Sequence, residues 1–353
     1  MTKKERITCT ISHKEPDKVP KGELAIEGNI ASNLLGKEIY EKLESMQREI
    51  EVRKLLNIDF ININEFVADL IGHDSQGVPV YRSAFGDEFK DNGISYQMVK
   101  PALADISGAA TYSTPDIGKC TARMIDYYAK NSDLFLMAQI NGPVSALDWM
   151  LGMEDYLVYC MTDSDSIRML AEKVMEFETG RARIFIDHGA DAVLIADDIG
   201  FNAGLLLPPR IMEQVAFPFY KQMIQEIKRH GNVPVFLHTD GYVYDALDSI
   251  VACGFDGIQS IQPSAGMDIG KVKKNYGDAL CLIGNLDLDY LMTFGKPEEV
   301  EAEVRKVIDI AAPGGGFILS TCNILVDAVK RENAIAMYDT AEEYGVYHNQ
   351  RVY

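Results

Sequence analysis

The stretch PVFLHTDG, Pro234–Gly241, ends an apolar run on His238 and sets Asp240 two positions further on. If the run is a strand, its period of two puts both side chains on one face. An imidazole and a carboxylate on one face can hold a metal ion. A lone histidine at a strand end can equally do no more than bond a loop carbonyl. Cys322 follows another apolar run, GFILST (316–321). Histidine nitrogen and cysteine thiolate are favoured zinc ligands, and a catalytic zinc takes three protein ligands and leaves one position open. Asp240 is one candidate for the third, with Glu23 and Asp198 as the others. Each has a plainer alternative: a buried cysteine can be a small hydrophobe, and the Asp197-Asp198 pair can cap a helix. Asn141 and Asn285 stand at the ends of two further apolar runs, where they could orient a substrate.

These residues meet only if a fold gathers strand ends. From about residue 130, apolar runs alternate with amphipathic segments. The runs are 134–140, 192–197, 233–238, 255–261, 279–284 and 316–321. Residues 208–231 have apolar positions at helical spacing, proline at the start and glycine at the end, which predicts one helix. Strands alternating with helices predict a parallel sheet. Two upstream runs, 22–28 and 58–64, raise the count to eight, that of a (β/α)8 TIM barrel, taken as a single domain over 1–353. Residues 78–100 break the alternation and predict a β-hairpin inserted after the second strand, turning near Asp91-Asn92-Gly93. No GxGxxG follows a strand, which argues against a nucleotide-binding doubly wound sheet. In a barrel, catalytic groups sit at the C-terminal strand ends. There the chain places carboxylates, amides, one histidine and one cysteine, and no lysine or arginine cluster that would suit a phosphate.

The net charge of −19 argues against nucleic acid as a partner. No run of 18 apolar residues predicts a membrane span, and the N-terminus has no apolar signal core. The cytoplasm is the expected location, and the six scattered cysteines are expected to be free thiols. Aromatic residues such as Phe66, Tyr81, Phe85, Trp149 and Phe201 could line a pocket or fill the core, and packing is the expectation for Trp149.

Four segments carry a family resemblance: NGPVSALDWMLG (141–152), the stretch 197–228 that opens DDIG, VFLHTDG (235–241) and IGNLD (283–287). Together they resemble the uroporphyrinogen decarboxylase superfamily, whose members are (β/α)8 barrels and often pair as homodimers. The decarboxylases carry an arginine-rich segment near the N-terminus that holds substrate carboxylates. Here DKVPKGELAIEGN (17–29) has no arginine and two glutamates, so porphyrinogen decarboxylation is not expected. The corrinoid-dependent zinc methyltransferase branch is also similar: His238 and Cys322 match its metal ligands, while Asp240 stands where its thiol-activating members have a second cysteine. The resemblance thus implies a zinc enzyme on His238 and Cys322, completed by Asp240 or Glu23, with Asp198, Asn141 and Asn285 orienting substrate. It implies methyl transfer from a small methylated donor, a methoxylated aromatic, to a corrinoid. No corrinoid-binding D-x-H-x-x-G occurs here, so the corrinoid would ride on a partner protein. Two alternatives stand beside this: transfer from a methylated corrinoid to a thiol of the coenzyme M type, and a catalytically silent barrel that binds a ligand or corrinoid protein.

Overall fold

A computed structural model describes residues 1–91 and 96–347. Seven parallel strands form one curled sheet: β1 (Phe60–Ile63), β6 (Phe135–Asn141), β7 (Ala192–Ala196), β10 (Val235–Thr239), β11 (Gly257–Ser260), β12 (Cys281–Leu286) and β13 (Phe317–Thr321), hydrogen-bonded in that order. Helices follow the strands and cover the outer face. This is the α/β barrel expected, and seven of the eight predicted strands are in place.

The strands read as unbroken apolar runs because both faces are buried. Their alternation divides the core. Phe60, Phe135, Met137, Leu194, Phe236, Ile283 and Ile318 fill the barrel interior, and Ile7 from the helix Lys3–Ile11 joins them. The intervening residues, Leu136, Ala138, Ile195 and Leu237 among them, pack outward under the helices. Followed toward the C-terminal ends, the inward positions turn polar: Asn62 after Phe60, Gln139 after Met137, His238 after Phe236, Asn285 after Ile283. The period of two therefore assembles a polar mouth over an apolar floor.

Three expectations need correction. Residues 22–28 are not a strand. They run between β13 and β1 on single hydrogen bonds: Gly22 N–H to the Leu319 carbonyl at 2.8 Å, Leu319 N–H to Pro20 at 2.9 Å, and Asp59 N–H to Lys21 at 2.8 Å. Gly22 lies against the Phe60 ring, where a Cβ would come within 1.7 Å of a ring carbon. The insertion is more than a hairpin: β2 (Ala68–His73), β3 (Pro79–Ser83), β4 (Glu88–Asp91) and β5 (Tyr96–Lys100) form a four-stranded antiparallel sheet. Of the expected turn, Asn92 and Gly93 lie outside the described residues. The helix expected over 208–231 is two, Pro209–Val215 and Phe217–Gly231, broken at Ala216 with φ −129°. Pro218 has no N–H to continue the first helix and restricts the residue before it, so the chain restarts there. No described helix is long and apolar enough to cross a membrane.

Candidate active site

Adjacent strands bring three ligand-type side chains together at the mouth. β7 lies beside β10, and Asp198 sits two residues past the end of β7. Asp198, His238 and Asp240 each offer one ligand atom within 4.8 Å of the others, the only such group of three among the described residues. His238 is held by the strand on its other side: its Nδ1 bonds to Gln259 Oε1, and the two residues are register partners. An amide oxygen only accepts, so Nδ1 carries the proton and Nε2 keeps its lone pair. Gln259 is fixed in turn, donating from Nε2 to the Asn323 carbonyl at 3.2 Å. Asn323 Nδ2 donates to Asp240 Oδ2, while Asp240 Oδ1 is buried and has no hydrogen-bond partner. Burial raises the Asp240 carboxyl above its ordinary range, the neighbouring His238 works against this, and Asp198 adds to it. Asp198 Oδ1 accepts from the Asp240 N–H at 3.0 Å. A bare buried carboxylate oxygen beside a second carboxylate and a free imidazole nitrogen fits a divalent cation, and one nitrogen with two oxygens is a harder donor set than thiolates would give.

Cys322 and Glu23 lie outside this group. β13 is three places round the sheet from β10. The Cys322 thiol turns to the Leu288 backbone, and burial pushes it up to about 12. Glu23 is fully buried and accepts from the Thr321 hydroxyl at 2.8 Å, the Thr321 N–H at 3.2 Å and the Tyr338 hydroxyl at 2.9 Å. Burial raises Glu23 to about 7. Asn285 donates from Nδ2 to the Ile261 carbonyl at 3.2 Å, leaving Oδ1 buried and unpartnered. Asn141 bonds Glu178 through its backbone N–H at 3.2 Å and Nδ2 at 3.1 Å.

The two aspartates after β7 divide their work. Asp197 is 1% exposed and caps the helix Pro143–Leu151 from outside its own segment, accepting from the N–H groups of Val144, at 3.0 Å, and Ser145, and from the Tyr220 hydroxyl. It packs so closely on Gly142 that a Cβ there would lie 2.0 Å from Asp197 Oδ2. Ser145, placed by this cap, accepts the Asp198 N–H on its Oγ at 3.1 Å.

Ser145 also lines a cavity of about 170 Å³ between the inserted sheet and the barrel. Its walls are aromatic: Phe66, Phe85, Phe89, Tyr96, Trp149 and Phe177. Phe85 meets Phe177 edge-on with ring centres 5.3 Å apart, and Phe89 meets Trp149 edge-on at 6.1 Å. Trp149 is thus a wall residue, only half-buried, rather than core. Tyr81 stacks on Phe89, and Phe201 is exposed on the short hairpin β8 (Gly200–Phe201) and β9 (Gly204–Leu205). The polar lining is Ser83, Asp87, Asn141, Ser145, Glu178 and Arg181. A cavity of about 150 Å³ holds a benzene ring, so this one suits a single small aromatic and is far too small for a tetrapyrrole. Sequence reasoning missed Asp87, Glu178 and Arg181. Glu178 and Arg181 sit at i,i+3 in a long helix, a spacing that reads as a solvated pair, yet they are 0% and 2% exposed and joined at 2.7 Å.

Comparison with known proteins accords with this geometry. Residues 94–344 match the family model described as uroporphyrinogen decarboxylase (URO-D). A methylcobamide:CoM methyltransferase MtaA from Methanosarcina barkeri is 24% identical over 216 residues, 60% of this chain and 59% of that protein. The chain thus matches little more than half the length of that relative. A methylcobamide:CoM methyltransferase MtbA from Methanosarcina mazei is 26% identical over 69% of each chain. A uroporphyrinogen decarboxylase from Pseudoalteromonas atlantica is 27% identical over 53% of this chain and 51% of its own. In fold, a solved methyltransferase from Methanosarcina mazei superposes with a TM-score of 0.75 at 18% identity, over 98% of this chain and 99% of that one. The chain belongs to the uroporphyrinogen decarboxylase family and is related within it to the corrinoid-dependent methyltransferases.

Proposed function

We propose that this protein is a zinc-dependent methyltransferase that moves a methyl group from a methoxylated aromatic to the cob(I)amide of a partner corrinoid protein. The observation that carries the proposal is the junction at Ser145, which lines the aromatic cavity and holds the backbone of Asp198, a member of the Asp198–His238–Asp240 group. Asp198, His238 and Asp240 do not themselves line the cavity, and Ser145 is the link between the two. Asp198, His238 and Asp240 would hold the zinc and leave its fourth position open to the ether oxygen, with Cys322 and Glu23 outside the group. Zinc bound there would supply Lewis acidity toward an ether oxygen, whose phenolate is otherwise a poor leaving group at neutral pH. Gln259 keeps the His238 lone pair free, and Asn323 holds one Asp240 oxygen so that the other stays bare. Asn141, tied to Glu178, and Asn285, with its unpartnered oxygen, orient the donor.

A second reading, transfer from a methylated corrinoid to a thiol, is favoured by the activity for which the MtaA and MtbA relatives are named. Two measurements decide. Zinc content is compared between the wild-type chain and His238→Ala. Methyl transfer from 2-methoxyphenol to cob(I)alamin is compared with transfer from methylcobalamin to 2-mercaptoethanesulfonate. The proposal expects near-stoichiometric zinc, lost in H238A, and faster transfer in the first direction. Faster transfer to the thiol selects the second reading. A chain with no zinc and no transfer in either direction sinks both and leaves a silent binding barrel.

A further inference from the structure

The loop Ser83–Asp87, which joins β3 to β4, carries a carboxylate into the aromatic cavity. Asp87 is 3% exposed and lines that cavity. Its carboxylate is bonded by the Ser83 hydroxyl and its own backbone N–H, and no basic side chain pairs with it among the described residues. The loop is rigid by construction. Ser83 N–H donates to the Asp87 carbonyl at 2.9 Å, Gly86 N–H to the Ser83 carbonyl at 3.1 Å, and Phe85 N–H to Ser83 Oγ at 3.1 Å. The other charges in the wall cancel, because Arg181 is paired with Glu178 at 2.7 Å. One carboxyl group with no basic partner therefore faces a space walled by rings, held by the Ser83 hydroxyl and its own backbone N–H, and burial raises it above its ordinary range. A ligand donor would add to those two bonds and favour the charged form.

We infer that Asp87 is a specificity-determining residue that selects methyl donors bearing a hydroxyl on the ring. The inference rests on the proposed methoxyaromatic function and names its substrate class: methoxyphenols, whose O–H donates to the Asp87 carboxylate. Methoxybenzene offers no donor and leaves the carboxylate with only the Ser83 hydroxyl and its own backbone N–H. A methoxybenzoate lacking a hydroxyl brings a second negative charge to a wall whose only cation is already paired. A hydrogen bond to a charged acceptor is worth about 10- to 100-fold in affinity.

The test is binding, read by calorimetry and by emission of Trp149, the only tryptophan of the chain and a cavity wall residue. In the wild-type protein 2-methoxyphenol should perturb Trp149 and bind at least about tenfold more tightly than methoxybenzene or 3-methoxybenzoate. In Asp87→Asn the advantage over methoxybenzene should fall below about threefold. Equal binding of 2-methoxyphenol and methoxybenzene to the wild type overturns the inference without any variant, should D87N fail to fold. So does an advantage that survives D87N. Tighter binding of phenyltrimethylammonium than of 2-methoxyphenol, lost in D87N, overturns it too, making the pocket one for cations. Asp87-dependent selectivity without methyl transfer sinks the proposed reaction and keeps this assignment. Methyl transfer without Asp87-dependent selectivity does the reverse.

Discussion

Asp197→Ala should be the most damaging single change near the site, although the residue touches neither the cavity nor the three-residue group. It removes one acceptor from three buried donors: the N–H groups of Val144 and Ser145 and the hydroxyl of Tyr220. Each donor left without a partner costs about 1–3 kcal/mol. Water entering the vacated space recovers part of this, so the expected total is about 4 kcal/mol, a large fraction of the about 5–15 kcal/mol that holds most domains folded. Asp197→Asn keeps the volume and one acceptor oxygen but turns an amide N–H₂ toward another donor, for about 2 kcal/mol. Urea unfolding at unchanged m-value measures both. The control is Asp198→Asn, an exposed neighbour expected to cost under about 1 kcal/mol. The effect should reach function as well, because the cap places Ser145, and Ser145 holds Asp198. If D197A costs no more than D198N, the cap does not organise the site and the reasoning fails.

Two further outcomes can be checked. Gln259→Leu removes the partner that fixes the His238 tautomer and should lower zinc affinity about 10- to 100-fold in the protein that remains folded, read by competition with a chromogenic chelator. Asp148, in the helix capped by Asp197, is raised by burial to about 6, and one of its oxygens is buried without a partner. An acid raised in the folded state gives its full stability below its unfolded value, 3.8, and loses it as pH rises through the folded value. Wild-type protein should therefore lose about 1 kcal/mol between pH 4 and pH 8 that Asp148→Asn does not, since solvent screens this partly exposed carboxyl, measured as the difference between their urea midpoints.

The barrel was readable because a parallel sheet buried on both faces leaves strands as uninterrupted apolar runs, and those from Phe135 to Thr321 are of that kind. The polar mouth followed from the same runs, since residues at their ends must project there. That route found His238 and Asp240. Asp197 had two readings, and the structure makes it the cap. What stayed hidden depends on contacts between distant segments. The stave at residues 22–28 looked like a strand because it reads as an apolar run, but its hydrogen bonds are single and irregular. Asp87 sits in a turn where aspartate is ordinary, and only the packing of the inserted sheet makes it a cavity wall. Cys322 follows an apolar run just as His238 does, yet its thiol bonds the Leu288 backbone, and it is the next residue, Asn323, that reaches Asp240.

That irregular stave has a consequence for how the chain folds. β1 to β13 can assemble progressively, each strand docking on one already placed. The stave must instead find Leu319 from Gly22, nearly 300 positions away, before the cylinder is shut. Contacts of such separation form late, because loop closure must precede them. The ion pairs Arg6–Asp59 at 2.6 Å and Lys21–Glu342 at 2.6 Å fasten the same join. Residues 22–28 are thus the last to settle, and amide exchange on folding should show them gaining protection after every parallel strand.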